Sequence, residues 1–229
     1  MPTIQVNDLE MYYTERGDGP PLVALHAATA NSILMGWLAD FLKDEGFNVI
    51  TPDQRGHGRT PNPAPDLHLH RLVEDLTEFL YRLGRGPVHG VGYSMGGGVL
   101  LYAALRQPDL FKSLALLGTN YRHASQERVI KVVGEPEQRE GLIRTVFDPE
   151  TGIAIGWDEP VETFSRISLP TLIIAADRDE FNEVDDNVAL YHAMPNADLL
   201  VTPHTDHLGL VRHPVVLAGL KGFYSRITR

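Results

Sequence analysis

The sequence contains no cysteine, few basic side chains and no long apolar run. Without cysteine the chain has no disulfide, no thiolate nucleophile and no sulfur ligand for a metal. Its 30 acidic and 20 basic side chains give a formal net charge of −10, which disfavours nucleic acid and anionic membranes as partners. No apolar run approaches the length that spans a bilayer, and the first residues lack the basic start and apolar core of a signal peptide. These absences predict a cytoplasmic protein.

Short apolar runs alternate with amphipathic stretches along most of the 229 residues, a length that suits one α/β domain. Strands are predicted at residues 3–6, 9–15, 22–25, 47–50, 88–91, 113–117, 171–175 and 199–201. Helices are predicted at residues 33–45, 66–83, 185–193 and 214–227, and from residue 95 onward. The alternation predicts a mostly parallel sheet with an antiparallel start and helices on both faces. Ligands of such a sheet bind at the carboxyl ends of its strands.

The helix predicted before Gly84 has one apolar face and one charged face. The apolar residues are Leu72, Val73, Leu76, Phe79, Leu80 and Leu83, and the charged residues are Arg71, Glu74, Asp75, Glu78 and Arg82. This pattern predicts a helix that covers the sheet and turns its charged side chains to solvent.

The motif with the clearest chemistry is Gly92-Tyr93-Ser94-Met95-Gly96, between a predicted strand and a predicted buried helix. It matches G-x-S-x-G, in which a serine on a strained turn points its hydroxyl out above a sheet. The glycines let the strand and the helix approach closely enough to hold that turn. The pattern indicates a nucleophilic serine.

Two other glycine-rich motifs are similar to this turn. Residues 90–95 come within one residue of the dinucleotide motif G-x-G-x-x-G, but Met95 replaces the third glycine and the turn lies deep in the chain. No Gly-Lys-Ser/Thr follows, as a phosphate-binding loop would need. A plain Gly/Ser turn is the remaining alternative.

A serine nucleophile needs a base, and the base needs a third group to orient it. Candidates follow two later strands: Asp177 and Asp179 come after residues 171–175, and His204 and His207 come after residues 199–201. A zinc site at the two histidines is the alternative, and it is disfavoured because no carboxylate cluster accompanies them. No metal and no cofactor are therefore predicted.

The chain resembles α/β-hydrolase-fold proteins of the single-domain serine esterase and lactonase type, over nearly all of its length outside residues 120–166. The order Ser, Asp, His along the chain is the one expected of this fold. Five blocks carry the resemblance: Leu25-His26-Ala27-Ala28; Asp53-Gln54-Arg55-Gly56-His57-Gly58; Gly92-Tyr93-Ser94-Met95-Gly96; Leu169-Pro170-Thr171 with Asp179; and His207 with His213-Pro214. The resemblance implies the α/β-hydrolase fold.

The resemblance also implies a catalytic triad. Ser94 would be the nucleophile, His207 the base and Asp179 the acid. Asp179 is preferred to Asp177 as the second acidic residue of the D-R-D sequence, and His207 is preferred to His204 by its spacing from the final helix.

The oxyanion hole implied by the resemblance has two backbone N–H donors, those of Met95 and Ala28. Ala27 stands where the family usually has glycine, so its methyl group could narrow or shift the loop. We expect His26 and His57 to hold loops by hydrogen bonding and to take no part in proton transfer.

The resemblance implies a cofactor-independent carboxylesterase that forms an acyl-enzyme on Ser94. A lactonase or enol-lactonase, a thioesterase, a perhydrolase or a C–C bond hydrolase would use the same triad. A serine at this position argues against dehalogenases and epoxide hydrolases, which use aspartate there. The alternative from another class is a non-catalytic ligand-binding protein with the hydrolase fold.

Residues 120–166 break the alternation and are predicted to form a cap inserted into a single domain that spans residues 1–229. A surface excursion without a role is the alternative. Trp37, Tyr93, Phe147 and Trp157 are predicted to line the substrate site, although aromatic residues are as often plain core. The expected partner is a small ester or lactone, and the expected state is a monomer or a homodimer.

Overall fold

The computed structural model describes residues 2–28, 30–64, 67–119, 121 and 159–228. These residues form eight strands: β1 (Thr3–Val6), β2 (Leu9–Arg16), β3 (Pro21–Leu25), β4 (Asn48–Pro52), β5 (Val88–Tyr93), β6 (Phe111–Leu117), β7 (Thr171–Ala176) and β8 (Ala197–Thr202). They also form five α-helices: α1 (Gly36–Asp44), α2 (Leu69–Leu83), α3 (Met95–Arg106), α4 (Val184–Ala193) and α5 (Pro214–Ile227). Single 3-10 turns lie at Pro108–Leu110, Val161–Arg166 and Leu210–Arg212.

The strands form one sheet in the order β1-β2-β4-β3-β5-β6-β7-β8. Strand β2 runs antiparallel to both of its neighbours, and every other pairing is parallel. One buried apolar cluster joins the sheet to α2 and α3, and a second joins the opposite face to α1 and α5. The predicted fold class is therefore confirmed. The parallel strands end at one edge of the sheet, which is where Ser94, Asp179 and the segment of His207 follow.

Helix α2 departs from its predicted pattern at one position. Asp75 was assigned to the exposed charged face, but it is 1% exposed. Its carboxylate oxygens accept hydrogen bonds of 2.7 Å and 3.0 Å from Arg55, which is fully buried, and one of 2.8 Å from Asn7. The helical period cannot reveal this, because the partner that stabilises the buried charge comes from a loop after β4.

Helix α1 begins later than predicted. The side chain of Asn31 accepts the backbone N–H groups of Ile33 and Leu34 at 3.0 Å and 3.2 Å, so these residues form a turn before the helix begins at Gly36. Asparagine competes in this way with the first helical hydrogen bonds. Ile33 and Leu34 are consequently exposed, by 68% and 56%.

The predicted cap lies mostly outside the described residues. Of residues 120–166, the structure describes residue 121 and residues 159–166. Tyr121 is buried, its ring meets Phe164 edge to face, and its hydroxyl donates to the carbonyl of Asp186. The division into one domain with a cap stays a prediction. In the described part of the chain, no helix has both the length and the apolar character needed to cross a membrane.

The buried ion pair gives a prediction about stability. Asp75→Ala should lower the free energy of unfolding by about 3–5 kcal/mol, because it leaves the Arg55 guanidinium buried without its main partner. Asp8→Ala is the matched control: Asp8 also binds Arg55, at 2.5 Å, but its side chain is 46% exposed, so we expect a smaller loss. Urea denaturation measures both variants. Equal losses of unfolding free energy in the two variants would show that burial of the carboxylate does not control how strongly it binds Arg55.

Candidate active site

Ser94 lies at a sharp turn between β5 and α3, with φ of 53° and ψ of −117°. Residues other than glycine rarely adopt a positive φ, and holding one costs roughly 1–3 kcal/mol. Two contacts hold this one: the Ser94 N–H donates to the carbonyl of Leu117 on β6 at 2.8 Å, and the Ser94 carbonyl accepts the N–H of Gly97 at 3.0 Å. A Cβ atom on Gly92 would lie 2.5 Å from the Gly96 carbonyl oxygen, so the turn requires glycine there.

The same turn packs against the loop that follows β3. A Cβ atom on Gly96 would lie 2.5 Å from the Leu25 carbonyl oxygen and 2.7 Å from that of His26. Glycine therefore allows the first turn of α3 to rest directly on the backbone of the β3 loop. This packing places Met95 and the loop that contains Ala28, the two predicted oxyanion donors, on neighbouring segments.

Asp179 and His207 are in direct contact. His207 Nδ1 lies 2.7 Å from Asp179 Oδ2, and the two side chains are only 5% and 1% exposed. The other oxygen of Asp179 accepts the backbone N–H groups of Phe181 and Asn182, both at 2.9 Å. Because a carboxylate can only accept, the His207 proton lies on Nδ1, and Nε2 is the nitrogen able to take up a proton.

Two aromatic rings enclose His207. Tyr93, the residue before the turn serine, stacks on the imidazole with 5.1 Å between ring centroids, and its hydroxyl donates to the His207 carbonyl at 3.0 Å. Phe181 meets the imidazole edge to face at 4.9 Å. Burial raises the pKa of Tyr93, with the nearby carboxylates adding to the shift, so its hydroxyl stays a donor. Tyr93 thus couples the position of His207 to the strand that carries Ser94.

The end of β6 packs directly against the Asp179–His207 pair. A Cβ atom on Gly118 would lie 3.2 Å from His207 Nδ1 and 3.3 Å from Asp179 Oδ2, and the Gly118 carbonyl accepts the Asn182 side chain at 3.0 Å. Among the described residues no hydrogen bond joins the Ser94 hydroxyl to His207. Such bonds often form only when substrate is bound.

Asp177 and His204, the two candidates not assigned to the triad, hold a loop in place. Asp177 accepts the backbone N–H of Thr205 at 2.9 Å, and the pKa of Asp177 is lowered chiefly by its hydrogen bonds from the backbone of Thr205 and His204. His204 Nδ1 lies 2.6 Å from the guanidinium of Arg178. Neither side chain is placed at the Asp179–His207 pair.

His26 ties the β3 loop to the loop after β4. Its Nε2 accepts the backbone N–H of Gln54 at 3.0 Å, so its proton must lie on Nδ1, which donates to the Ala27 carbonyl at 2.8 Å. The Gln54 side chain donates in turn to the His26 carbonyl at 2.9 Å. Burial, assisted by the neighbouring His57, lowers the pKa of His26 to about 3, so the ring stays neutral.

The predicted substrate residues are placed differently from one another. Trp37 is half-buried against the apolar cluster under α1, and Tyr93 is buried against His207. Phe147 and Trp157 lie outside the described residues. The assignment of all four to substrate binding stays a prediction.

Gln54 and Asn182 are not among the predicted site residues. In the structure the Gln54 side chain binds the His26 carbonyl, and the Asn182 side chain binds the Gly118 carbonyl. Gln54 stands inside a motif block, which was a usable signal, whereas nothing in the sequence marks Asn182. Within the part of the chain that the structure describes, no cluster of three or more His, Asp or Glu side chains could hold a metal ion.

Comparison with known proteins identifies the family of the chain. The family model described as alpha/beta hydrolase fold matches residues 20–152, which is more than half of the chain. The chain belongs to the α/β-hydrolase fold family. The match includes the β3 loop, the block around Arg55 and the Ser94 turn.

Two curated relatives are hydrolases. The chain is 32% identical over 132 residues to the (E)-2-((N-methylformamido)methylene)succinate hydrolase of Acinetobacter baylyi, a match covering 56% of this chain and 50% of that protein. It is 26% identical over 237 residues to the sn-1-specific diacylglycerol lipase ABHD11 of Danio rerio, covering 84% of this chain and 74% of the lipase. The chain thus spans only half the length of the first of these relatives.

A solved structure shares the whole architecture. The thermophilic esterase from Thermogutta terrifontis superposes with a TM-score of 0.80 over 100% of both chains at 20% sequence identity. An N-acyl homoserine lactone degrading enzyme superposes with a TM-score of 0.79 over 97% of this chain and 100% of its own, at 21% identity. At these identities the likeness shows the fold alone.

The neutral state of His26 predicts a dependence of stability on pH. Its pKa is about 3 in the folded protein against an ordinary 6.5, so below pH 6.5 the unfolded chain binds a proton that the folded chain does not. Neutral His26 makes its full contribution to the free energy of unfolding above pH 6.5. Between pH 6.5 and pH 3 that contribution falls by about 1.4 kcal/mol for each unit by which the pH decreases. His26→Asn should therefore show a shallower fall between pH 6 and pH 4 in urea denaturation.

The control for this experiment is His192→Asn, which removes an exposed histidine on α4. It should keep the slope of the wild type. A slope shared by all three proteins would contradict the assignment of a neutral, buried His26.

Proposed function

We propose that this chain is a serine hydrolase that cleaves a small carboxylic ester through an acyl-enzyme on Ser94. The observation that carries the proposal is the buried contact of 2.7 Å between His207 and Asp179, held at the sheet edge beside the strained Ser94 turn. A serine nucleophile at neutral pH needs a base, and the base needs a third group to orient it; Asp179 and His207 supply these two groups at the sheet edge where Ser94 lies.

In the proposed mechanism, the Ser94 oxygen attacks the ester carbonyl carbon while His207 Nε2 takes the hydroxyl proton. Asp179 keeps the second imidazole proton on Nδ1 and stabilises the imidazolium that forms. The tetrahedral intermediate then expels the alcohol, which receives the proton from Nε2. Water, deprotonated by His207, attacks the acyl group, and collapse of the second intermediate releases the acid and restores Ser94.

The oxyanion would be held by the N–H groups of Met95 and Ala28. Met95 is the first residue of α3, so its N–H belongs to the helix terminus where negative charge is stabilised. Each such donor contributes about 2.7–4 kcal/mol in the transition state. The close packing of Gly96 on the Leu25 and His26 carbonyls supports the placement of both donors at one site.

The charges beside His207 favour an uncharged substrate. The backbone N–H of His207 donates to the Glu180 carboxylate at 3.4 Å, and Asp206 precedes His207 in the chain. Both contribute to the raised pKa of Tyr93, which places their negative charge near the stacked rings. An anionic acyl or alcohol group would be repelled there, so we propose a neutral ester.

The nucleophile assignment is tested with p-nitrophenyl acetate, butyrate and octanoate. Ser94→Ala should lower kcat by about 10⁴-fold or more, because no other group can form the acyl-enzyme. A fluorophosphonate probe should label the wild type at Ser94, located by mass spectrometry of the peptides. Ser225→Ala, an exposed position on α5, is the control and should match the wild type. Turnover retained by Ser94→Ala would overturn the proposal.

The acid assignment is tested by a matched pair of variants. Asp179→Asn should lower kcat by about 10⁴-fold, because an amide disturbs the tautomer of His207. Asp177→Asn, two residues away, should stay within about threefold of the wild type, because Asp177 bonds to the loop backbone and not to the imidazole. A larger loss in Asp177→Asn than in Asp179→Asn would contradict the assignment.

A further inference from the structure

His57 is a buried histidine that the proposed mechanism does not use. It is 1% exposed, and each of its ring nitrogens faces a backbone carbonyl oxygen. Nδ1 lies 2.8 Å from the oxygen of Arg55, and Nε2 lies 2.6 Å from the oxygen of Ala28. A neutral imidazole has only one N–H, so one of these two contacts receives the proton.

The shorter contact assigns the proton to Nε2, which then donates to Ala28. Burial lowers the pKa of His57 and favours this neutral form. Two titratable groups face the ring. The Asp53 carboxylate attracts a proton to it, although both carboxylate oxygens already accept backbone N–H groups, from Ser32 and Arg59. The His26 ring, 5.0 Å away between centroids, is neutral and adds no charge.

The two histidines hold successive carbonyl groups of the β3 loop. The Ala27 oxygen is held by His26 Nδ1 at 2.8 Å and by the Ala30 N–H at 3.0 Å. In a trans peptide the C=O and the following N–H point in opposite directions, so this contact sets the direction of the Ala28 N–H. The Ala28 oxygen is held by His57. The backbone is thereby restrained on both sides of the Ala28 Cα atom.

The loop that carries His57 is itself firmly anchored. Arg55 is fully buried and bound to Asp75 at 2.7 Å, and the Asp53 carboxylate accepts the N–H of Arg59 at 2.9 Å. The backbone that carries His57 is therefore held in place. We expect a substitution of the His57 side chain to displace the β3 loop more than the loop that carries His57.

We propose that His57 is a positioning residue for the oxyanion hole: by holding the Ala28 carbonyl it restrains the backbone on one side of the Ala28 Cα atom, while His26 holds the Ala27 carbonyl on the other side, so that the Ala28 N–H stays directed at the developing oxyanion. This inference rests on the proposed serine hydrolase function. It would also allow alanine at position 27, where glycine is usual, since hydrogen bonds and not backbone freedom would set the conformation of the loop. Misplacing a catalytic donor by about 1 Å can cost roughly 10²-fold in rate.

Two amide substitutions separate positioning from simple structural support. In His57→Gln the side-chain nitrogen can reach the place of Nε2 and still donate to Ala28, whereas in His57→Asn it reaches only the place of Nδ1, near Arg55. We expect His57→Gln to keep kcat within about threefold of the wild type and His57→Asn to lose about 10–100-fold. KM should change little in either variant, because the donor acts on the transition state.

A second readout uses a trifluoromethyl ketone, which forms an oxyanion adduct with an active-site serine. The affinity of His57→Asn for this inhibitor should fall by the same factor as kcat, while the melting temperatures of the two variants stay similar. Equal kcat values for the two variants, or a loss confined to KM, would overturn the inference and leave the proposed function intact. A wild type without Ser94-dependent turnover would overturn the proposed function and, with it, the catalytic role of His57.

Discussion

The close approach of two backbones at the Ser94 turn is the constraint on which the rest of the site depends. Strand β5 and helix α3 can meet only because Gly92 has no Cβ atom, and the start of α3 can rest on the β3 loop only because Gly96 has none; either Cβ atom would lie 2.5 Å from a backbone oxygen. The contact holds Ser94 at a positive φ and presses the start of α3 onto the β3 loop. These two steric conditions therefore determine the position of Ser94 and bring the β3 loop beside it.

Hydrogen bonds between side chains and backbone groups keep the polar residues of the site in place. Asp179 is oriented by two N–H groups of its own loop, and His207 is held through its carbonyl by the hydroxyl of Tyr93. On the opposite side, His26 and His57 hold carbonyl groups of the β3 loop. In the proposed mechanism such contacts would pre-orient the groups that meet the transition state, so little reorganisation would be needed during the reaction.

Holding the site in this geometry requires the burial of polar and charged groups. Burial keeps His26 neutral, at the expense of stability in acid. Arg55 keeps its charge in the interior because Asp75 binds it through two hydrogen bonds, and this pair anchors the loop that supplies Gln54 and His57. The packing of α2, which carries Asp75, and the geometry of the candidate site are therefore linked through one buried ion pair.

The sequence by itself determined the fold class, the strained turn at Ser94 and the short list of acid and base candidates. These follow from local patterns: the period of apolar residues, the glycines of the turn and the order of polar residues after strands. It did not predict the late start of α1 or the burial of Asp75, because those depend on the side chain of Asn31 and on Arg55, 20 residues away.

The family resemblance favours Asp179 and His207 within the two candidate pairs, but only the tertiary structure shows that these two side chains meet. Asp177 and Asp179 lie two residues apart, as His204 and His207 lie three apart, so local pattern hardly separates them. The loops after β7 and β8 turn Asp179 and His207 towards each other and turn Asp177 to the backbone of Thr205. Contacts between segments distant in sequence set these directions, and the periodicity of a single segment carries no information about them.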